Sequence, residues 1–182
     1  MKHLTSIIIA SFLFPFFVNC QTDSSKTLSI GDHYQGGIIF YIDQSGQHGL
    51  IAAPNDQTER KIKWGVNGNT YAIFPDDGEF NMKKILDFHN YTVGAKGKAA
   101  AYLCDSLRIE GYSDWYLPAI EELKMMYDKK SIIGNFMSGD YCSSTEYGER
   151  DVYSIHFRKY SSIIFFHNKE NRNYFVRCIR RF

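Results

Sequence analysis

Hydrophobic periodicity switches twice along the chain, and the order of those switches restricts the fold more than any other feature. Gly36-Gly37-Ile38-Ile39-Phe40-Tyr41-Ile42-Asp43 is a Gly-led, β-rich run; Gln44-Ser45-Gly46-Gln47 is a turn cluster, and His48-Gly49-Leu50-Ile51-Ala52-Ala53-Pro54 is a second apolar run. The pair predicts a β-hairpin. Residues 55–97 are irregular and Gly-punctuated, with Asn81 as the cap of a short helix carrying Met82, Ile85, Leu86 and His89. The spacing then becomes helical. Ala100, Leu103, Cys104 and Leu107 mark one buried face over residues 99–107, which turns Cys104 inward. Pro118 suits the first position of a second helix, with Ile120, Leu123 and Tyr127 as its apolar stripe and Lys129 and Lys130 at its end. After Gly134 the chain returns to short β-rich runs at 140–144, 152–157, 161–167 and 174–179. A strand pair, an irregular stretch, two helices and a strand meander indicate an α+β fold.

The amino-terminal segment is an address rather than part of this fold. Met1-Lys2-His3 is a short basic start, and the apolar run from Leu4 to Val18 is interrupted by Pro15. It falls short of the roughly 20 residues that a spanning helix needs, so residues 1–19 read as a signal peptide. Cys20 with the polar stretch after it resembles a bacterial lipoprotein junction: a lipidated cysteine, then a tether over residues 20–29. Phe17 and Asn19 depart from the usual lipobox, and ordinary cleavage just after Cys20 is the alternative. Either way the protein is exported, and any membrane attachment is through lipid. Residues 30–182 remain for a single domain, long enough to bury its own core.

Composition narrows the partners. Lys and Arg number 21 against 20 Asp and Glu, so no global positive field exists to gather nucleic acid. Motifs for chemistry fail in detail. Val93-Gly94-Ala95-Lys96-Gly97-Lys98 lacks the first Gly and the final Ser or Thr of a phosphate loop. Gly111-Tyr112-Ser113-Asp114-Trp115 has Trp where a nucleophile elbow needs Gly. Asp76-Asp77-Gly78-Glu79 lacks the alternating acids of a calcium loop, and the histidines form no pair at zinc spacing. No metal or cofactor is expected. Cys142 with His156 is the one nucleophile and base pairing to test, and no complete set of acid, base and nucleophile assembles, so we expect no enzyme.

If Cys20 is lipidated or removed, Cys104, Cys142 and Cys178 remain and one of the three must be left over. A bridge from Cys104 to Cys178 would stabilise by about 4 kcal/mol in the chain-entropy model; a Cys142 to Cys178 linkage is the competing arrangement. Several stretches together resemble one bacterial family. They are Gly36 to Ile42, Gly46 to Ala53, Gly111-Tyr112-Ser113-Asp114-Trp115-Tyr116-Leu117-Pro118, Glu121-Glu122-Leu123, Ser143-Ser144-Thr145-Glu146 and Val176-Arg177-Cys178-Ile179-Arg180. In this order they are similar to the extracellular domain typified by the C-terminal domain of the Legionella collagen-like adhesin. That resemblance implies a C-type-lectin-like fold, two helices on a twisted antiparallel sheet, with a long bridge from the first helix to the last strand. Cys104 and Cys178 occupy those elements, which leaves Cys142 as a buried, inert thiol. The chain has none of the Glu-Pro-Asn, Gln-Pro-Asp or Trp-Asn-Asp triplets of calcium-dependent sugar sites.

The adhesin member suggests sulfated polysaccharide as ligand, and the C-terminal third offers cations for it. Arg158, Lys159 and Tyr160 fall at one turn, Lys169 and Arg172 at the next, and Arg177, Arg180 and Arg181 on the last strand. They form either a basic patch or ordinary solvated turns partly cancelled by Glu149, Asp151 and Glu170. Trp64, Tyr71 and Phe74, in the irregular region, either stack on a sugar or pin the loop to the core, and Trp64 is the candidate carried forward. The expected function is surface adhesion or glycan recognition without calcium, with an envelope or host protein as the alternative partner.

Overall fold

A computed structural model describes residues 27–92, 99–157 and 163–182. In chain order the elements are β1 (His33–Tyr34), β2 (Gly37–Ile42), β3 (Gly49–Ala52), β4 (Ile62–Lys63), α1 (Gly78–Thr92), α2 (Ala100–Asp105), α3 (Ile120–Asp128), α4 (Lys130–Ile133), β5 (Asp140–Glu146), β6 (Asp151–His156), β7 (Ile164–Asn168), β8 (Asn173–Tyr174) and β9 (Ile179–Arg181). The fold is mixed α+β with antiparallel sheets.

The first sheet runs β1-β2-β3-β9, so the chain's last strand closes on the hairpin near its start. Strand alternation sends the neighbours Ile39 and Phe40 to opposite sides, and the register with β3 shifts between Ile39 and Tyr41. Ile39 and Ile51 enter one core with Trp64, Ile85, Trp115 and the bonded Cys104 and Cys178, while Phe40, Leu50 and Ile179 enter another with Tyr116, Leu123 and Met126. This sheet is therefore buried on both faces, which explains its continuous rather than alternating hydrophobicity. A second sheet, β5-β6-β7, carries the meander, and a two-stranded pairing joins β4 to β8.

The sequence reading needs five corrections here. The stretch expected to be irregular with a short helix holds the 15-residue α1, so the described residues carry four helices rather than the expected two. The 174–179 run is not one strand: between β8 and β9 its backbone is taken by other segments, with Phe175 N–H donating to Asp140, Gln57 N–H to Val176 and Ala53 N–H to Cys178. Pro118 does not open α3; Ala119 is its cap, and the Glu122 carboxylate accepts the Ala119 N–H at 2.8 Å. Lys130 belongs to the short α4 rather than closing α3. Asn81 is not a cap either. Asp77 Oδ1 accepts the Phe80 N–H at 3.1 Å and caps α1, while Asn81 lies buried within it and holds both the N–H and the carbonyl of Phe74.

Gly78 lets the starts of α1 and α3 meet: a Cβ there would stand 2.5 Å from Glu122 Oε2 and 2.6 Å from the Leu117 carbonyl. Among the described residues, no helix is long and apolar enough to cross a membrane. The signal and tether readings, including Cys20, lie outside the described residues, as do Arg158, Lys159, Tyr160 and the 93–98 motif.

Candidate functional site

Among the described residues, Lys169, Arg172, Arg177 and Arg180 of the expected basic patch are each spent on a carboxylate; Arg158 and Lys159 lie outside the described residues. Lys169 is fully buried rather than at an exposed turn. Its ammonium pairs with Glu146 and donates to the carbonyls of Gly68 and Gly148 at 2.8 Å and of Glu149 at 3.1 Å, with Trp64's ring 4.9 Å away. Glu146 also accepts the N–H groups of Thr70 at 3.0 Å and Tyr71 at 3.1 Å. Burial pulls the lysine's pKa down, and Glu146 opposes that pull. Three loop segments are tied together by this clamp, with every donor of the ammonium used.

Arg172 binds Asp140, whose other oxygen takes His156 Nδ1 at 2.6 Å. Burial pushes the Asp140 carboxyl up, yet Arg172 and His156 together hold it below the usual carboxylate range. Arg177 is buried against Asp56 at 2.8 Å, and Arg180 meets Asp114 at 2.7 Å. Trp64 is also buried rather than presented to a ligand; its Nε1–H donates to the Ser143 carbonyl at 2.8 Å. Tyr71 and Phe74, from the same loop region, are exposed. Cys104 and Cys178 form the bridge, and Cys142 is a buried free thiol whose pKa burial pushes up. Such a thiol is no nucleophile at neutral pH. His156 points Nδ1 at Asp140.

A cavity of about 460 Å³ lies beside α4, lined by Lys130, Asn135, Phe136, Met137 and Phe157, and two more meet at Arg181, at the end of β9. Its guanidinium donates to Glu79 at 2.9 Å and to Asp77 at 3.1 Å, lies 3.5 Å from Glu122, and is still 45% exposed. It separates two cavities. One, of about 580 Å³, lies along α1 and is lined by Phe80, Met82, Leu86, Asp87, Asn90 and Asp105. The other, of about 440 Å³, lies beside the hairpin and is lined by Tyr41, Asp43, His48, Asp76, Met125 and Phe182. Each holds one large exposed aromatic, Phe80 or Tyr41. Glu122 forms the floor at Arg181: burial raises its carboxyl pKa, against the N–H groups of Ala119 and Gly78 and the Tyr116 hydroxyl at 2.8 Å.

Sequence reasoning placed Arg181 on the last strand but missed this cleft. Asp76-Asp77-Gly78-Glu79, which reads as a solvated turn rather than a calcium loop, is the signal for half of it; Tyr41 reads as part of a strand and Phe80 belongs to no motif. Among the described residues, fold and site define an α+β arrangement with antiparallel sheets, one long-range disulfide and an open cleft between two helix starts and the terminal strand. No family model and no curated protein matches the chain.

Proposed function

We propose that this is an exported, surface-tethered, non-enzymatic binding domain on a C-type-lectin-like scaffold, whose role is glycan recognition or adhesion without calcium. The observation that carries the reading is the double cleft at Arg181, in which each half presents one exposed aromatic beside hydrogen-bonding side chains. Aromatic faces bury the apolar face of a sugar ring, and fixed carboxylates and a guanidinium orient its hydroxyls. The lectin-like part rests on two features besides the resemblance of sequence: first and last strands share one sheet, and the bridge runs from α2 to the residue before β9. Fold alone does not assign a ligand, so the cleft bears that weight.

The test is binding of the purified protein to neutral and sulfated glycans at low and high salt. Binding that survives high salt supports the reading, and silence throughout overturns it. Tethering is tested separately by the intact mass of membrane-extracted protein, which should carry lipid at Cys20; a start immediately after Cys20 overturns the tether and leaves export standing.

One observation favours the protein-interaction alternative. The outer strand β7 leaves Ile164 and Phe166 exposed beside Ile163, and Phe166 stacks at 4.5 Å on exposed Tyr147. An apolar strand at a sheet edge without charge or Pro is unguarded against pairing. A stoichiometric envelope protein that leaves when Phe166→Lys is introduced would place function there.

A further inference from the structure

Charge divides the possible ligands of the Arg181 cleft more sharply than shape does. The cavity along α1 is lined by Asp77, Glu79, Asp87 and Asp105 against Lys83 and Arg181. Arg181 is already engaged by two of those carboxylates. The cavity beside the hairpin has Asp43, Asp76 and Glu122 against the same Arg181, with His48 at its rim. Carboxylates therefore outnumber cations in both halves, and the one cation common to both is spoken for. A sulfated or uronate chain laid here would set like charges against Asp76, Asp87 and Asp105, a repulsion that rejects a ligand even where its shape fits.

We infer that the cleft takes unsulfated sugar units, neutral or amine-bearing, with one ring against Tyr41, another against Phe80, and the chain passing over Arg181. This rests on the glycan reading above. Both aromatics are about two-fifths exposed, 41% and 40%, so each offers ring surface while remaining anchored by its strand or helix. Phe80 is fixed edge-on against Phe74 at 4.8 Å, which sets the ring before a ligand arrives. An amine on the sugar gains from the exposed carboxylates Asp87 and Asp105 and, at Tyr41, from attraction of a cation to an aromatic face; the Phe80 ring already carries the Lys84 ammonium at 5.3 Å and takes a neutral ring. The buried cations of the C-terminal third take no part.

The test titrates the full exported protein with three probes: N-acetylglucosamine oligomers, glucosamine oligomers and heparin. The two unsulfated probes should bind and heparin should not. Tyr41→Ala and Phe80→Ala should each weaken binding about tenfold, the size of one lost aromatic contact. Asp87→Asn should weaken the glucosamine oligomer more than the acetylated one. Preference for heparin, or unsulfated binding indifferent to both aromatic substitutions, would overturn the inference while leaving the glycan reading standing. Failure of every glycan would remove both. Should a variant lose its fold, protection of Tyr41 from nitration by bound oligomer in the unmodified protein decides the same point: protection supports the assignment and its absence overturns it.

Discussion

Lys169 and Arg181 are both cations near the carboxyl end of the chain, both paired with carboxylates, and their surroundings make them opposites. Lys169 and Glu146 are each fully buried, and every ammonium hydrogen is answered by a carbonyl or the carboxylate. Arg181 is 45% exposed, shared among Asp77, Glu79 and Glu122, and opens on a cavity at either side. A sealed pair specifies the positions of loops because losing either partner strands the other in a dry environment. An open pair is screened, adds little to stability, and stays within reach of a ligand. Counting basic residues in the sequence treats the two alike; burial separates them.

The largest effect expected from breaking this contrast is at the sealed site. Lys169→Met should cost about 3–5 kcal/mol in denaturant unfolding, because Glu146 is left charged and buried. A loss under about 1 kcal/mol, the scale of an exposed pair, would mean the clamp is no clamp. Removing the bridge with Cys104→Ala and Cys178→Ala should cost about 4 kcal/mol in the chain-entropy model and lower the melting temperature under non-reducing conditions. It should weaken both regions together, since Cys178 adjoins β9 and shares a core with Trp64 beside the clamp.

Two buried carboxyls, Asp140 outside the clamp and Glu122 at the cleft, should answer pH with opposite signs. Asp140, buried like the clamp, has a depressed carboxyl pKa; its stabilisation is complete above the ordinary carboxylate range and is lost as pH falls through the folded value. Asp140→Asn should flatten the acid limb of stability below about pH 4. Glu122 at the open site has a raised pKa, so between the ordinary value and the folded one the native state holds the extra proton and stability falls as pH rises. Glu122→Gln should remove that decline. The smallest effect belongs to Arg181→Ala, about 0–1 kcal/mol, measured by the same unfolding curve.

Local patterns carried much of the fold. The β2-β3 hairpin, the inward Cys104 of α2 and the stripe of α3 follow from periodicities spanning a dozen residues or fewer, and the α+β class follows from their order. What was illegible joins residues far apart. Lys169 reads as a turn cation until Gly68 and Glu146 surround it, and Trp64 reads as a loop aromatic until Ser143 accepts its N–H. Asn81 occupies a position that suits a cap, yet its side chain is taken by Phe74 and the helix starts earlier at Asp77. The cleft was hidden for the same reason: Tyr41, Phe80 and Arg181 come from a hairpin, a helix and the terminal strand, and no spacing along the chain links them.

The most direct test of this division is backbone amide NMR of the protein titrated with a glucosamine oligomer, read for both regions in one experiment. Shifts confined to Tyr41, residues 76–90 and Arg181, with Thr70, Glu146 and Lys169 unmoved, are the predicted result. Shifts concentrated at the turn carrying Lys169 and Arg172, with the cleft silent, would contradict it.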